Sequence, residues 1–458
     1  MTATVHRIFG RHPVSPHPAL TSYVSYVPAL FPLVLHWPMW IHRRVETITY
    51  VDEVRVKRHV SVDFSIPLWA YGDEPLQDVV VPIALLRKGP LKDFDVTDEG
   101  GRALTVLNRS QAQEVGGALL TRTAEVTLRR RGVRHMDPKI ERTLGAIVAS
   151  EVPSEALAML EELSHSSSGG SRAARAGFDT QRLAIFQEGR TWVLANNLAS
   201  SFVLFVIVPE ATAGQRRMIK FEYEQDPKPT AGFGWLRGGH LTLDVPNASL
   251  GDSYHVEVAA PEDLFIHSGT LNAKVDEQDI PLYGVWKAGS TERLHLHVRH
   301  VPLGVDPILV IRFRIAPFGI LSAAVQVGVI CSAYLAGGLL TWRFLGTVAD
   351  NGAAAAVVVA LPGLFAAYTY RTGVHRLVRQ VVSDVRYIVF GLTLASFASA
   401  ALLAVSWRPG IRFLGWTALT LFALVATAYL LLLGLVNYRR LRRHPVKEDR
   451  RTEPQAPA

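Results

Sequence analysis

The sequence predicts a β-rich region, an immunoglobulin-like antiparallel sandwich with a helical insertion, followed by an all-α bundle of four transmembrane helices. Two patterns predict this order. Long stretches without charged residues lie in about the last 140 residues, whereas short runs of alternating apolar and polar residues recur before them. A third observation, the position of the basic residues, indicates which side of the membrane the β-rich region occupies.

Each predicted transmembrane helix is a run that contains no Asp, Glu, Lys or Arg. A helix needs roughly 20 residues to cross a hydrocarbon core about 30 Å thick. Four such runs in succession are hard to accommodate in a soluble fold, because buried soluble helices of this length nearly always carry charge. The runs cover residues 317–340, 352–370, 387–407 and 413–438.

The chain has a net charge of +8, but residues 1–316 hold 34 Lys and Arg against 35 Asp and Glu. The positive charge therefore belongs to the membrane part, which argues against a nucleic-acid partner. Short basic loops stay in the cytoplasm, so the sequence predicts a multi-pass protein of the cell membrane whose N-terminal domain and C-terminal tail are cytoplasmic. The basic residues that flank the spans are Arg371, Arg376, Arg379, Arg386, Arg439, Arg440, Arg442 and Arg443.

An apolar stretch at residues 20–41 is interrupted by three prolines. Because proline opposes a continuous helix, the sequence predicts an extended or interfacial segment here, with a fifth span as the alternative. Its tryptophans, Trp37 and Trp40, are expected to pack against the β-rich region or against the lipid headgroups. The prolines are Pro28, Pro32 and Pro38.

The first β-region begins after this segment. Residues 45–66 have apolar side chains at most even positions and polar ones at most odd positions, which predicts one long half-buried strand or a hairpin. The apolar run at 79–86 predicts a short buried strand. Residues 93–96 and 103–107 stand on either side of an Asp-Glu-Gly-Gly sequence, which predicts a hairpin turn.

The spacing of apolar residues then changes to that of helices at 110–120, 138–150 and 154–163. Strand patterns resume after a Ser- and Gly-rich segment, with Gly, Pro and Asn between them, as in an antiparallel sandwich. The predicted strands are 183–187, 202–208, 218–223, 241–245, 254–258, 294–298 and 308–315.

These elements divide the chain into seven predicted parts. The last strand runs almost directly into the first span, so the short junction is expected to couple the position of the sandwich to the membrane helices. The parts are a Pro-rich apolar segment at 1–44, β-strands at 45–108, a helical insertion at 109–165, a flexible linker at 166–180, the sandwich at 181–316, four spans at 317–438 and a basic disordered tail at 439–458.

The sequence contains no phosphate-binding loop, dinucleotide fingerprint, nucleophile elbow or Cys-based zinc pattern, and we predict no cofactor. The best candidates for chemistry are His295, His297 and His300, because alternate residues of a strand share a face and two imidazoles there can chelate Zn²⁺. The interpretation that we favour is the solvent face of a half-buried strand. His255 and Glu257 are likewise an acid–base pair or, as we favour, a surface contact. The further histidines that could add ligands are His240, His255 and His267.

The predicted spans contain no Asp, Glu, Lys, Arg or His, which argues against transport coupled to an ionisable group at membrane depth. Small residues recur in them at four-residue intervals and let helices pack closely. They predict a compact bundle, and beside the lipid bilayer they predict a protein partner or a homo-oligomer. The small residues are Gly328, Ser332, Ala336, Gly363, Ala367, Gly391, Ala395 and Ser399.

Residues 253–266, together with 308–340, resemble a group of uncharacterised actinobacterial membrane proteins in which a β-domain precedes several C-terminal spans. The resemblance implies the same architecture for this chain. It implies no activity, because the group has none to carry over.

On these grounds we expect a membrane-anchored cytoplasmic module that binds, senses or scaffolds and has no recognisable catalytic centre. One alternative is a membrane-perturbing effector or channel that is gated by the β-domain. A second alternative is a membrane-anchored, metal-dependent hydrolase that uses His295 and His297, which three convergent histidines in a pocket would favour.

Overall fold

The computed structural model describes residues 23–51, 55–71, 78–133, 135–167, 189–209, 214–225, 239–275, 278–282, 286–290, 292–301, 306–345, 376–404 and 409–443. Within these residues a β-rich N-terminal region with inserted helices precedes a set of C-terminal helices. The second predicted span, residues 352–370, the predicted strand at 183–187 and most of the predicted linker lie outside the described residues.

The described strands form three sheets. The strands are β1 Ile41–Tyr50, β2 Val56–Ser65, β3 Asp78–Arg87, β4 Lys92–Asp98, β5 Thr105–Val106, β6 Ser201–Pro209, β7 Arg216–Gln225, β8 Gly239–Asp244, β9 Ser253–Ala259, β10 Leu264–Val275, β11 Gln278–Pro281, β12 Trp286–Ser290, β13 Arg293–Arg299 and β14 Asp306–Ile315. A seven-stranded sheet has the order β12-β13-β9-β1-β2-β7-β4, a four-stranded sheet the order β11-β10-β14-β8, and a three-stranded sheet the order β3-β6-β5.

The helices fall into an N-terminal and a C-terminal group. The first group comprises α1 Val27–Leu35, α2 Leu68–Tyr71, α3 Arg109–Arg130, α4 Pro138–Ala149, α5 Pro153–Ser167 and α6 Arg190–Ser200. The second comprises α7 Ile320–Leu345, α8 Arg376–Val381, α9 Ser383–Ala404 and α10 Pro409–Arg443. Residues 439–443 of the predicted disordered tail therefore belong to α10.

The seven-stranded sheet is mixed. Strands β1 and β2 form the predicted hairpin, with Tyr50 opposite Val56. On its other side β1 pairs with β9, and these two strands run parallel. The prediction of an antiparallel arrangement is therefore wrong for this pair, because β9 returns to the sheet after a long excursion through helices and other strands and not through a tight turn.

Two different layers cover the inner face of this sheet. Over β2, β7 and β4 the sheet packs against the three-stranded sheet and the N-terminal helices, in a first core that includes Phe64 and Phe221. Over β9 and β13 it packs against the four-stranded sheet, in a second core that includes Val256 and Phe313. The second core continues into α7, α8, α9 and α10, where it includes Leu321.

The N-terminal apolar segment is helical where an extended or interfacial segment was predicted. Pro28 lies in the first turn of α1, where its missing N–H removes no helical hydrogen bond. Pro32 lies inside the helix, but Leu30 and Leu33 are fully buried in the first core, and their burial outweighs one lost bond. Trp37 and Trp40 are also buried there, so they pack against the β-rich region.

The predicted hairpin after β4 forms next to the turn, where Thr97 and Ala103 pair and the N–H of Leu104 donates to the carbonyl of Val96 at 2.9 Å, but its two strands separate further along. The Asp98 carboxylate accepts hydrogen bonds from the backbone N–H groups of Gly100 and Arg102, each at 2.9 Å. Beyond the turn β4 pairs with β7, whereas β5 pairs with β6 of another sheet. The next helix, α3, begins at a capping box formed by Asn108 and Gln111 and is longer than predicted.

Three described helices are long and apolar enough to cross a membrane, over Ile320–Thr341, Ser383–Leu402 and Pro409–Arg442. They correspond to the first, third and fourth predicted spans. Apolar side chains such as Leu394, Leu421 and Leu432 are exposed on their outer faces. These helices are therefore compatible with a membrane location.

Candidate functional site

The predicted histidine pair lies on the outer face of the seven-stranded sheet. His295 and His297 alternate with buried leucine and valine residues along β13. On the neighbouring strand β9, His255 stands opposite His297 and Glu257 stands opposite His295. Because facing residues of paired strands share a side of the sheet, four titratable side chains meet there.

These side chains contact each other closely. The rings of His255 and His297 stack with centroids 4.1 Å apart and planes at 11°. His255 Nδ1 lies 3.2 Å from His295 Nε2, and His295 Nδ1 lies 3.2 Å from the Oε1 of Glu257. The His295 ring therefore lies between an imidazole and a carboxylate, within hydrogen-bond distance of both.

The surroundings of His255 and His297 disfavour protonation of their rings. Partial burial, the other two imidazoles and Arg43 lower the pKa of His255 to about 4, although Glu257 acts in the opposite direction. Partial burial, Arg299 and His295 lower the pKa of His297 as well. At neutral pH the stacked pair is therefore uncharged.

The third candidate lies apart from this group. His300 has a left-handed backbone conformation just beyond the end of β13, its side chain is 76% exposed, and its Nε2 lies 3.0 Å from the Oδ1 of Asp252. His240 lies on β8 of the four-stranded sheet, and His267 lies at an irregularity of β10. Among the residues that the structure describes, no group of three or more His, Cys, Asp or Glu side chains could hold a metal ion.

A second cluster, which the sequence analysis missed, lies inside the β-rich region. Arg44, Glu46 and Arg58, which we call the polar seam, are only 1%, 2% and 2% exposed. They lie on the inner face of β1 and β2, between residues of the first core and residues of the second. The seam therefore separates the two apolar cores.

Both oxygens of the Glu46 carboxylate accept hydrogen bonds within this seam. Arg58 Nη1 donates to its Oε1 at 2.7 Å, and the hydroxyl of Tyr254 donates to its Oε2 at 2.8 Å. Arg58 Nη2 also donates to the backbone carbonyl of Asp244 at 3.0 Å. Burial works to lower the pKa of Arg58, but the partners around it, Glu46 among them, outweigh burial and the pKa is raised.

Arg44 has a different environment. Its Nη1 donates a long hydrogen bond of 3.4 Å to the carbonyl of Ile83, and its guanidinium lies 5.5 Å from the ring of Phe221. Burial lowers the pKa of Arg44, which Glu46 offsets only in part. Two cations and one carboxylate thus share a site shielded from water.

At the junction between the β-rich region and α7, backbone N–H groups donate hydrogen bonds to a loop that is distant in sequence. Asp263 accepts a hydrogen bond at its backbone oxygen from the N–H of Ala316, at 2.8 Å, and another at Oδ1 from the N–H of Ile320, at 3.3 Å. A side chain outside the helix thus caps the first turn of α7. Gly319 adopts a left-handed conformation against Asp263, where a Cβ atom would lie 2.2 Å from its Oδ1.

The long C-terminal helices hold the same junction from the other side. Asn437 near the end of α10 donates to the backbone oxygen of Ile315 at 3.1 Å. Ser332 and Thr427 share a hydrogen bond of 2.9 Å between α7 and α10, beside Gly328. Gly328 and Ser332 on α7 and Gly391 on α9 therefore pack against α10, whereas Gly363 and Ala367 lie outside the described residues.

No family model matches the chain, and no curated protein matches it either. Among solved structures it is similar to the M1 zinc metallopeptidase of Deinococcus radiodurans, with 10% identity and a TM-score of 0.24 over 59% of this chain and 41% of that chain. A mutant of that enzyme bound to a Tyr-Ser-Ala substrate gives 10% identity and a TM-score of 0.23 over the same shares. The chain spans less than half the length of these structures, and similarity at this level supports no inference about fold or function.

Proposed function

We propose that the protein is a membrane-anchored binding and sensing module, in which a cytoplasmic β-rich region is coupled mechanically to a bundle of four membrane helices. The second apolar core carries this proposal, because it runs without interruption from β8 and β14 into α7 and α10. A β-rich region that was only tethered would need no shared core with its anchor. The hydrogen bonds that Asp263 accepts and that Asn437 donates across the same junction support the coupling.

The arrangement of charge supports the proposed orientation. The helix ends that adjoin the β-rich region carry arginines, namely Arg376 and Arg379 on α8 and the arginines at the end of α10. At this place α8 contacts β8. The β-rich region would then lie in the cytoplasm, as an immunoglobulin-like sandwich in the loose sense, with residues 352–370 as the remaining span. A reporter fused after Ala458 would be active only in the cytoplasm.

Bilayer thickness provides the experiment that tests sensing. The full chain would be placed in nanodiscs of short-chain or long-chain phosphatidylcholine, and hydrogen exchange would be measured by mass spectrometry. Mismatch changes helix tilt, so a coupled module changes its exchange in β8 and β14 between the two lipids. If exchange in these strands were equal in the two lipids and changed only in the helices, the bundle would be a passive anchor.

The shared core also favours a second candidate function, the membrane-perturbing effector or channel gated by the β-rich region. Polar side chains buried among the helices, Thr393, Ser396 and Ser399, are the kind that can line a pore after rearrangement. Dye-filled liposomes distinguish the two functions. Release that depends on the protein supports the effector, and retention supports the sensing module.

A further inference from the structure

The guanidinium of Arg44 has more buried donors than partners. Its Nε and Nη2 atoms are buried and have no hydrogen-bond partner among the residues that the structure describes. A buried guanidinium with one long hydrogen bond is costly, because unpaired charged donors lose their hydration without replacement. Something that neutralises Arg44 is therefore expected at this position.

The two unpartnered atoms lie on the same edge of the guanidinium. An arginine presents the Nε–H and the adjacent Nη2–H in parallel, and this edge matches two oxygens of one carboxylate or phosphate. The chain itself provides an example. Arg216 uses its Nε and Nη2 to bind both carboxylate oxygens of Asp63, with 2.7 Å between Nε and Oδ1.

Glu46, the carboxylate of the polar seam, does not do the same for Arg44. Both oxygens of Glu46 are already bonded, to Arg58 and Tyr254. The buried carboxylate of Glu224 is bonded to Arg55, and Asp244 pairs with Arg87 at the surface. The seam therefore holds an excess of one positive charge.

We propose that the polar seam is a binding site for a small oxyanion, a carboxylate or a phosphate, held in bidentate fashion by the Nε–Nη2 edge of Arg44. The site lies at the boundary of the two apolar cores, where the β-rich region can open with the least loss of apolar contact. A ligand bound there would link the first core to the second. This inference does not depend on the coupling to the membrane and goes beyond the proposed function.

Thermal unfolding of the full chain in nanodiscs tests the site. The unfolding midpoint would be measured at constant ionic strength with rising concentrations of inorganic phosphate, acetate or chloride. We expect a saturable rise with phosphate or acetate, because the ligand binds only the folded state, and a weaker rise with chloride, which is a single atom and cannot place one acceptor opposite each donor. The anion that saturates at the lower concentration identifies the ligand class.

Two variants make the experiment specific. Arg44→Lys keeps the charge and loses the planar edge, so it should raise the half-saturating concentration about tenfold or more. Arg216→Lys changes an arginine whose edge is already filled by Asp63 and should leave that concentration unchanged. Equal saturation in Arg44→Lys and the wild-type protein would overturn the proposal, as would an equal response to all three anions.

Equilibrium dialysis keeps the proposal testable if Arg44→Lys does not fold. The wild-type protein would be dialysed against radiolabelled phosphate and radiolabelled acetate. Binding of about one anion per chain for one of the two supports the site. Occupancy far below one for both, at concentrations that saturate ordinary arginine sites, would show that water alone satisfies Arg44.

Discussion

Charged residues occupy both faces of the hairpin formed by β1 and β2, and their exposure to solvent differs between the two faces. On the outer face His59 pairs with Glu222 at 2.8 Å, where solvent reaches both side chains. On the inner face Arg58 and Glu46 are sealed between two apolar cores. Exposed pairs contribute little to stability, whereas breaking a buried pair leaves an uncompensated charge.

His255 makes stability depend on pH. Its pKa of about 4 lies below its ordinary value of 6.5, so between these values the unfolded chain binds a proton that the folded chain does not. The stabilisation is complete above pH 6.5 and is lost as the pH falls towards 4. Because solvent screens the half-exposed ring, we expect a loss of about 1 kcal/mol.

Unfolding midpoints at pH 7.5 and pH 5 check this expectation. His255→Gln should lose less stability than the wild-type protein on acidification, since its side chain does not titrate. His300→Gln, at a mostly exposed position, is the matched control and should behave as the wild-type protein does. An acid sensitivity that is identical in all three proteins would rule out a role for His255.

The histidine group on the outer face of the sheet could be predicted in part from the sequence. The polar seam on the inner face was missed, and the reason can be identified. Alternation along residues 254–258 and 294–298 places the histidines on one face, but only the pairing of β9 with β13 brings His255 against His297. Glu46 and Arg58 stand at even positions of the alternating run, where the buried apolar residues stand. Charged residues in the buried register of a strand predict an internal ion pair, yet the sequence cannot say which partners meet.

At the scale of elements, long apolar runs were predicted best, since the lack of charge over about 20 residues is a strong constraint. Elements whose character depends on tertiary contacts were missed. Helix α1 contains proline and forms because its side chains are buried. Strand β10 is interrupted by an irregularity between Ile266 and Ser268, which breaks the period of two that would have revealed it.

Adjacent glycines on α7 provide a matched test of helix packing. A Cβ atom at Gly338 would lie 2.5 Å from Cζ2 of Trp416 on α10, whose indole donates to the Leu335 carbonyl at 2.7 Å. Gly338→Ala should therefore displace the indole and destabilise the protein by about 1–3 kcal/mol. Gly337 has no atom within 4 Å of such a Cβ, so Gly337→Ala should leave the protein as stable or stabilise it by up to about 1 kcal/mol in the same thermal unfolding assay. Equal midpoints for the two variants would contradict the packing of α7 on α10.

At the scale of the whole molecule, the N-terminal apolar segment is buried in the first core. We expect a fragment of residues 45–316 to aggregate, because it lacks α1 and the start of β1, which supply Leu30, Leu33 and Ile41 to the first core. A fragment of residues 23–316 should keep that core. Limited proteolysis followed by mass spectrometry checks this, and recovery of 45–316 as a protease-resistant soluble domain would show that α1 is dispensable.

The most direct test of the coupling between the β-rich region and the membrane helices uses the two glycine variants again. Hydrogen exchange of the full chain in nanodiscs would be measured in β8 and β14 of the second core and in β3 and β6 of the first. Gly338→Ala lies far along α7 from the β-rich region, so it can alter β8 and β14 only through the shared core. We predict that Gly338→Ala lowers protection in β8 and β14 and leaves β3 and β6 unchanged, while Gly337→Ala alters neither pair. Unchanged protection of β8 and β14 in Gly338→Ala, with the helices destabilised, would contradict the coupling.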